Sequence, residues 1–165
     1  MCSEMDQVDK IINQWRAARP DLDVSTMGPI GRLSRLTKHM HVAAEDTFAG
    51  YGLNMAGFDV LSALRRSGSP YALAAGDLLT SMMITAGTMT NRIDQLEKSG
   101  FVRRRADPTD ARKAIVCLTP QGLRVIEQVI NDHVATQRQL LTALTGDEVA
   151  ALDGLLRKLT QSLGV

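Results

Sequence analysis

The chain has 165 residues, a formal net charge of +1, and 44% hydrophobic but only 4% aromatic residues, enough apolar material for one compact domain, or two lobes sharing a core, packed mainly by Leu, Met, Ala and Ile. No apolar run approaches the roughly 18 to 20 residues needed to cross a bilayer. Met1 to Lys10 is polar and carries acids, unlike a secretory signal, so a cytoplasmic protein with no membrane partner is expected.

The first predicted helix covers Gln7 to Ala18, with Val8, Ile11, Ile12 and Trp15 on one side, and Arg19-Pro20 closes it. Asp21 to Val24 is a connector. Ser25, with Pro29 in the first turns, starts a longer helix reaching about Phe48, which Gly50-Tyr51-Gly52 breaks. Asn54 caps the next helix, whose core stripe is Phe58, Leu61 and Leu64.

From Leu78 to Leu118 the pattern reads as two short helices and a charged two-stranded hairpin, the order of a winged helix-turn-helix. Leu78 to Met82 is the first helix, Met83-Ile84 the turn, and Thr85 an N-cap. The second helix runs to Ser99, where Gly100 stops it. Met89, Ile93 and Leu96 share its inner face, so Gly87, Asn91 and Lys98 point away, with Thr88 nearby. Small and amide-bearing side chains suit a major groove, where Asn91 can pair with a base edge. The hairpin that follows is basic. Between Lys98 and Lys113 six cations (Lys98, Arg103, Arg104, Arg105, Arg112 and Lys113) face only Asp107 and Asp110, concentrating positive charge where a phosphate backbone would be met. The candidate DNA-binding residues are Thr85, Gly87, Thr88, Thr90, Asn91, Arg104, Asp110, Arg112 and Lys113.

Beyond the hairpin, Thr119-Pro120 opens a long helix with proline at its first position, and Thr145-Gly146-Asp147-Glu148 is a capping box for the last one. Val149, Leu152, Leu155, Leu156, Leu159 and Leu163 recur along that last helix. Its apolar face needs either the N-terminal helices or a second subunit, and a homodimer is expected because two reading heads must sit one DNA turn apart.

Other chemistries find little support. His39 and His41 do not share a helix face, His133 is remote, and Cys2 and Cys117 lack the spacing of a zinc site, so neither metal nor cofactor is expected. Cys117, in an apolar strand, reads as inert. No nucleophile elbow, phosphate loop or pair of catalytic carboxylates marks an enzyme.

The run Gly87-Thr88-Met89-Thr90-Asn91-Arg92-Ile93-Asp94-Gln95-Leu96-Glu97, with Gly100-Phe101-Val102, Asp107-Pro108-Thr109-Asp110-Ala111-Arg112 and Leu118-Thr119-Pro120-Gln121-Gly122, resembles the MarR family of bacterial transcriptional regulators from Val24 to Leu163. The resemblance implies a triangular homodimer whose terminal helices interlock, each winged domain reading half of a palindromic double-stranded operator. It places Arg112 in the minor groove with Asp110 holding nearby side chains, while Ala111 stands where many members carry a further Arg. Trp15 to Asp23 and Gly31 to Leu36 resemble the subset with an added N-terminal helix that responds to urate or related anions. By that resemblance Trp15, Asp59 and Arg92 match the effector site.

By the same resemblance the effector is a small anionic aromatic or purine-like molecule. The residues themselves leave two readings: an Asp59–Arg92 pair that an anionic planar ligand could disrupt while stacking on Trp15, or a structural ion pair with Trp15 as packing. The expected fold is mainly α with a small β-hairpin wing, a winged helix-turn-helix in a helical homodimer. Residues 1–52 and 119–165 are assigned to dimerisation and 53–118 to DNA binding. The expected function is a repressor released by a small anionic effector; the alternatives are a DNA-binding regulator without an effector and a redox-responsive one.

Overall fold

The structure, a computed structural model, describes residues 5–82, 86–107 and 114–164. Two compact units, Met1–Ala43 and Ala44–Val165, make up the chain.

In the first unit α1 (Gln7–Ala18) begins at Asp6, whose carboxylate accepts the Val8 and Asp9 amides while the Asp9 carboxylate accepts the Asp6 amide in return. This reciprocal cap satisfies donors that a helix start leaves unpaired. Arg32, on α2 (Met27–Ala49), donates to both acids at 2.8 and 2.6 Å. Its guanidinium, with the Asp9 amide, holds the Asp6 carboxyl down at about 2. The two helices meet closely because Gly31 has no Cβ; one would stand 3.2 Å from Val8 Cγ1. Val8, Ile12 and Val24 are buried there against Met27. That contact covers only the first two turns of α1, so Trp15, placed by its spacing beside Val8 and Ile12, is instead exposed.

The second unit is organised around α3 (Met55–Arg66), capped by Asn54, whose side chain accepts the Gly57 amide at 2.9 Å. Phe58, Leu61 and Leu64 are buried as their spacing predicts. Then come β1 (Ala72–Ala74), α4 (Ala75–Met82), α5 (Ala86–Lys98), β2 (Val102–Ala106), β3 (Ala114–Leu118), α6 (Pro120–Leu140) and α7 (Gly146–Leu163). The wing is therefore a three-stranded antiparallel sheet of order β1-β3-β2 rather than a bare hairpin. Leu73 pairs with Val116, and Arg104 with the same residue from the other side. The extra strand extends the wing back to α4, which starts at Ala75, three residues before the expected Leu78.

Leu61, Leu64, Leu78, Ile93, Val116 and Val129 belong to one continuous core that joins α3, α4, α5, the sheet and α6. Phe48 stacks on Phe58 with ring centroids 4.2 Å apart, and the His133 ring leans on both. Burial among these rings lowers the His133 pKa, favouring the neutral imidazole. Thr119 caps α6 and ties it to the turn between α5 and β2, donating its hydroxyl to the Gly100 carbonyl at 2.7 Å.

The last helix differs in kind. Thr145 and Glu148 form the expected capping box at its start, yet none of its residues is buried, and Leu152, Leu155, Leu156, Leu159 and Leu163 lie open. On α2, Ile30, Leu36, Met40 and Val42 are likewise exposed. Among the described residues no helix is long and apolar enough to cross a membrane, and no cluster of His, Cys, Asp and Glu could hold a metal ion.

Candidate nucleic-acid interface

Helix α5 has one buried face and one open face. Met89, Ile93 and Leu96 are 2%, 2% and 4% exposed and fix the rotation of the helix on the core. The opposite face is open: Gly87, Thr88, Thr90, Asn91 and Lys98 are all exposed. Gly87 is informative because a Cβ there would meet nothing within 4 Å. It stands in the first turn of α5, and no crowding among the described residues accounts for it. A backbone left bare on an exposed helix face admits close approach of something outside the chain.

The end of α5 is sharply defined. Gly100 takes a φ of +74°, a conformation glycine adopts without a Cβ clash, and the Phe101 amide returns to the Leu96 carbonyl at 2.9 Å. From this turn β2 leads out with Arg103 and Arg105 exposed and Arg104 directed back to the helix.

Arg104, read from the sequence as a DNA contact, is bound inside the protein. Its Nη1 donates to Glu97 at 2.8 Å, and its Nη2 donates to Asp94 and to the Thr90 carbonyl. Arg103 and Arg105 are the β2 cations left facing solvent. The sequence reading missed Asp94 and Glu97 as partners, although their three-residue spacing on the flank of α5 places both carboxylates along one side. Thr85, Asp110, Arg112 and Lys113, together with the Met83-Ile84 turn and Cys2, lie outside the described residues. Cys117 is buried in β3 and carries a free thiol.

Asp59, on α3, and Arg92, on the flank of α5, lie in the second unit, and the Arg92 charge acts on Asp59 through space. Burial raises the Asp59 pKa, and the charges of Arg92 and Arg66 oppose this only in part. Arg92 also lines an open cleft of about 260 Å³ with Gly52, Asn54, Gly57, Gln95 and Ser99. Asp59 is not among the cleft's lining residues. Trp15 belongs to the first unit, exposed on α1.

Two short helices inserted between the first and second strands of a three-stranded wing, with a bare, polar outer face on the second helix, define a winged helix-turn-helix DNA-binding protein. The family model "MarR family" matches residues 53–114. Over 157 residues the chain is 37% identical to the HTH-type transcriptional regulator PecS of Dickeya dadantii (strain 3937), spanning 95% of each. The chain belongs to the MarR family of DNA-binding transcriptional regulators.

Among solved structures, a mutant MarR from E. coli complexed with operator DNA is similar at a TM-score of 0.69 and 26% identity, over 94% of this chain and 99% of that one. The structure of Bordetella bronchiseptica BpsR, concerned with regulation of its DNA binding by 6-hydroxynicotinic acid, is similar at a TM-score of 0.67 and 28% identity, over 79% of this chain and 91% of that one.

Proposed function

We propose that the chain is a homodimeric repressor that reads a pseudo-palindromic operator and is released by a small anionic aromatic or purine-like effector. In this reading residues 53–118 form the DNA-binding head, while residues 1–52 and 119–165 hold two copies together. The observation that carries it is the outer face of α5, where Gly87 and Asn91 are exposed and the backbone at Gly87 is unobstructed. In this reading helix α5 lies in the major groove with Thr88 and Asn91 near base edges, Arg112 enters the flanking minor groove with Asp110 holding nearby side chains, and Thr85, Thr90 and Lys113 complete the DNA-binding set.

The test is operator affinity at matched salt, on half-sites whose centres are about 10 bp apart. Asn91→Ala is expected to lower discrimination between operator and scrambled DNA by about 1–3 kcal/mol. Arg112→Ala is expected to weaken all sequences alike and to reduce the salt slope by about 1. Gly87→Ala keeps the fold at least as stable and still loses affinity, since the new methyl group meets DNA and not protein. Wild-type operator binding by all three variants would sink the assignment.

The effector part of the proposal rests on Asp59 and Arg92. A half-buried carboxylate whose charged form is penalised by burial, with a cation acting on it through space, is a weakly held partner that a ligand anion can replace. BpsR, whose DNA binding is regulated by a carboxylated aromatic heterocycle, supports the chemical class. Binding linkage is reciprocal. Operator DNA is therefore expected to weaken the binding of urate or 6-hydroxynicotinate by about 5- to 150-fold, read by titration calorimetry. Trp15 is the only tryptophan, so Trp15→Phe tests its assignment to the effector, and Arg92→Ala is expected to lower both effector and operator affinity. If neither ligand binds, or either binds without changing operator affinity, the protein is a DNA-binding regulator insensitive to this chemistry.

A further inference from the structure

We infer that Arg104 is a positioning residue that sets the angle between the wing and the reading helix through Asp94 and Glu97, and that it does not itself bind phosphate. The inference rests on the assignment of α5 and the wing to DNA binding.

Only Ser99, Gly100 and Phe101 separate α5 from β2. A link that short places the root of the strand, but a turn hinging on glycine does not by itself fix the direction in which the strand leaves. Pairing with β3 and the burial of Phe101 and Val102 hold the strand in the sheet, and Arg104 adds a direct tie from the strand to the helix. Its backbone amide donates to Glu97 Oε1 at 2.9 Å, while Nη1 donates to Glu97 Oε2 at 2.8 Å, so one carboxylate grips the strand by both main chain and side chain. Nη2 reaches Asp94 and, at 3.3 Å, the Thr90 carbonyl. The fork therefore spans two turns of α5, from Thr90 to Glu97. Lysine has the charge but not the planar array of donors needed to hold all three acceptors.

The acids sharpen the argument. Asp94 and Glu97 stand on the flank of a helix whose outer face meets DNA, where a carboxylate repels phosphate. Their charges are spent on Arg104, leaving the trio with one net negative charge. Each DNA half-site is met twice, by α5 and by the segment between β2 and β3 that carries Arg112, and the brace keeps these two contacts in register with the grooves.

The test uses the full-length protein and its operator, with Arg104→Lys, Arg104→Ala and the double variant Asp94→Asn/Glu97→Gln. Thermal melting checks that each folds. If Arg104 touched phosphate, Arg104→Lys would bind nearly as well as wild type, and neutralising the two acids would tighten binding. The brace gives the opposite signs: Arg104→Lys falls with Arg104→Ala, and Asp94→Asn/Glu97→Gln loses operator affinity by about 10-fold despite removing two negative charges. With the wing out of register, adding Arg112→Ala to Asp94→Asn/Glu97→Gln costs little more, whereas Arg112→Ala alone costs its full amount. Should Arg104→Ala fail to fold, the variant of the two half-exposed acids still decides.

Operator binding by Asp94→Asn/Glu97→Gln as tight as or tighter than wild type, with Asn91→Ala and Arg112→Ala impaired, overturns the brace and leaves the reader standing. Unimpaired binding by Asn91→Ala and Arg112→Ala removes the reader, and the brace with it.

Discussion

Replacing Gly122 by alanine is expected to destabilise the protein by about 3 kcal/mol or more, at the upper end of what overpacking costs. A Cβ at this position would stand 1.9 Å from the Phe101 carbonyl oxygen and 2.8 Å from its carbon. Both are main-chain atoms, so no side chain can swing aside. The backbone there is stitched on both sides: the Phe101 carbonyl accepts the Thr119 amide at 3.0 Å, and Thr119 Oγ1 accepts the Gly122 amide at 2.9 Å. Helix propensity works the other way, favouring alanine by about 1 kcal/mol, and is too small to decide the sign. The melting temperature should fall by about 6–12 °C, at roughly 2–4 °C per kcal/mol for a chain of this size. Gly76→Ala, where a Cβ meets nothing within 4 Å on α4, is the control and is expected to be neutral or stabilising. Equal melting of the two variants would show that α6 can lift off the Phe101 turn without penalty.

Ending the chain at Thr145 is expected to leave a folded monomer that has lost operator binding by about 10²- to 10⁴-fold, the range by which two linked sites exceed one. Helix α7 contributes no buried residue to the single chain, so its removal spares the core from Phe48 to Val129. It takes away the leucine face assigned to the partner copy, and with it the second reading head. Sedimentation shows the mass, circular dichroism shows the retained helices, and gel shift shows the affinity. A truncated protein that remains dimeric with full operator affinity would locate the dimer contact elsewhere.

Local chemistry made much of this architecture legible beforehand. Asn54, Thr119 and the Thr145–Glu148 box are capping signals whose meaning depends on the next three residues only, and each caps the helix expected of it. The inner face of α5 followed from the spacing of Met89, Ile93 and Leu96. Strand β1 was invisible because Ala72-Leu73-Ala74 is too short to alternate, and its pairing depends on Ile115, Val116 and Cys117, some forty residues away. The cap of α1 was missed because it uses Asp6 and Asp9 in place of the usual hydroxyl and glutamate. Charge counting placed Arg104 with the other wing cations. Only the return of β2 towards α5 reveals that its donors are engaged. His133, remote in sequence from any partner, became part of an aromatic cluster through the packing of Phe48 and Phe58 against α6.

The strand order β1-β3-β2 leaves β2 with one side open. An exposed strand edge offers unpaired amides and carbonyls to any other chain, the route by which sheet proteins coalesce into aggregates. Here the edge is defended twice. Glu97 occupies the outward Arg104 amide, and Arg103 and Arg105, exposed on either side of it, place like charges in the path of an incoming copy. The arginine run of β2 thus opposes edge-to-edge pairing of two copies independently of any nucleic acid, and the double variant Arg103→Val/Arg105→Val is expected to stay folded by circular dichroism and to aggregate faster by light scattering.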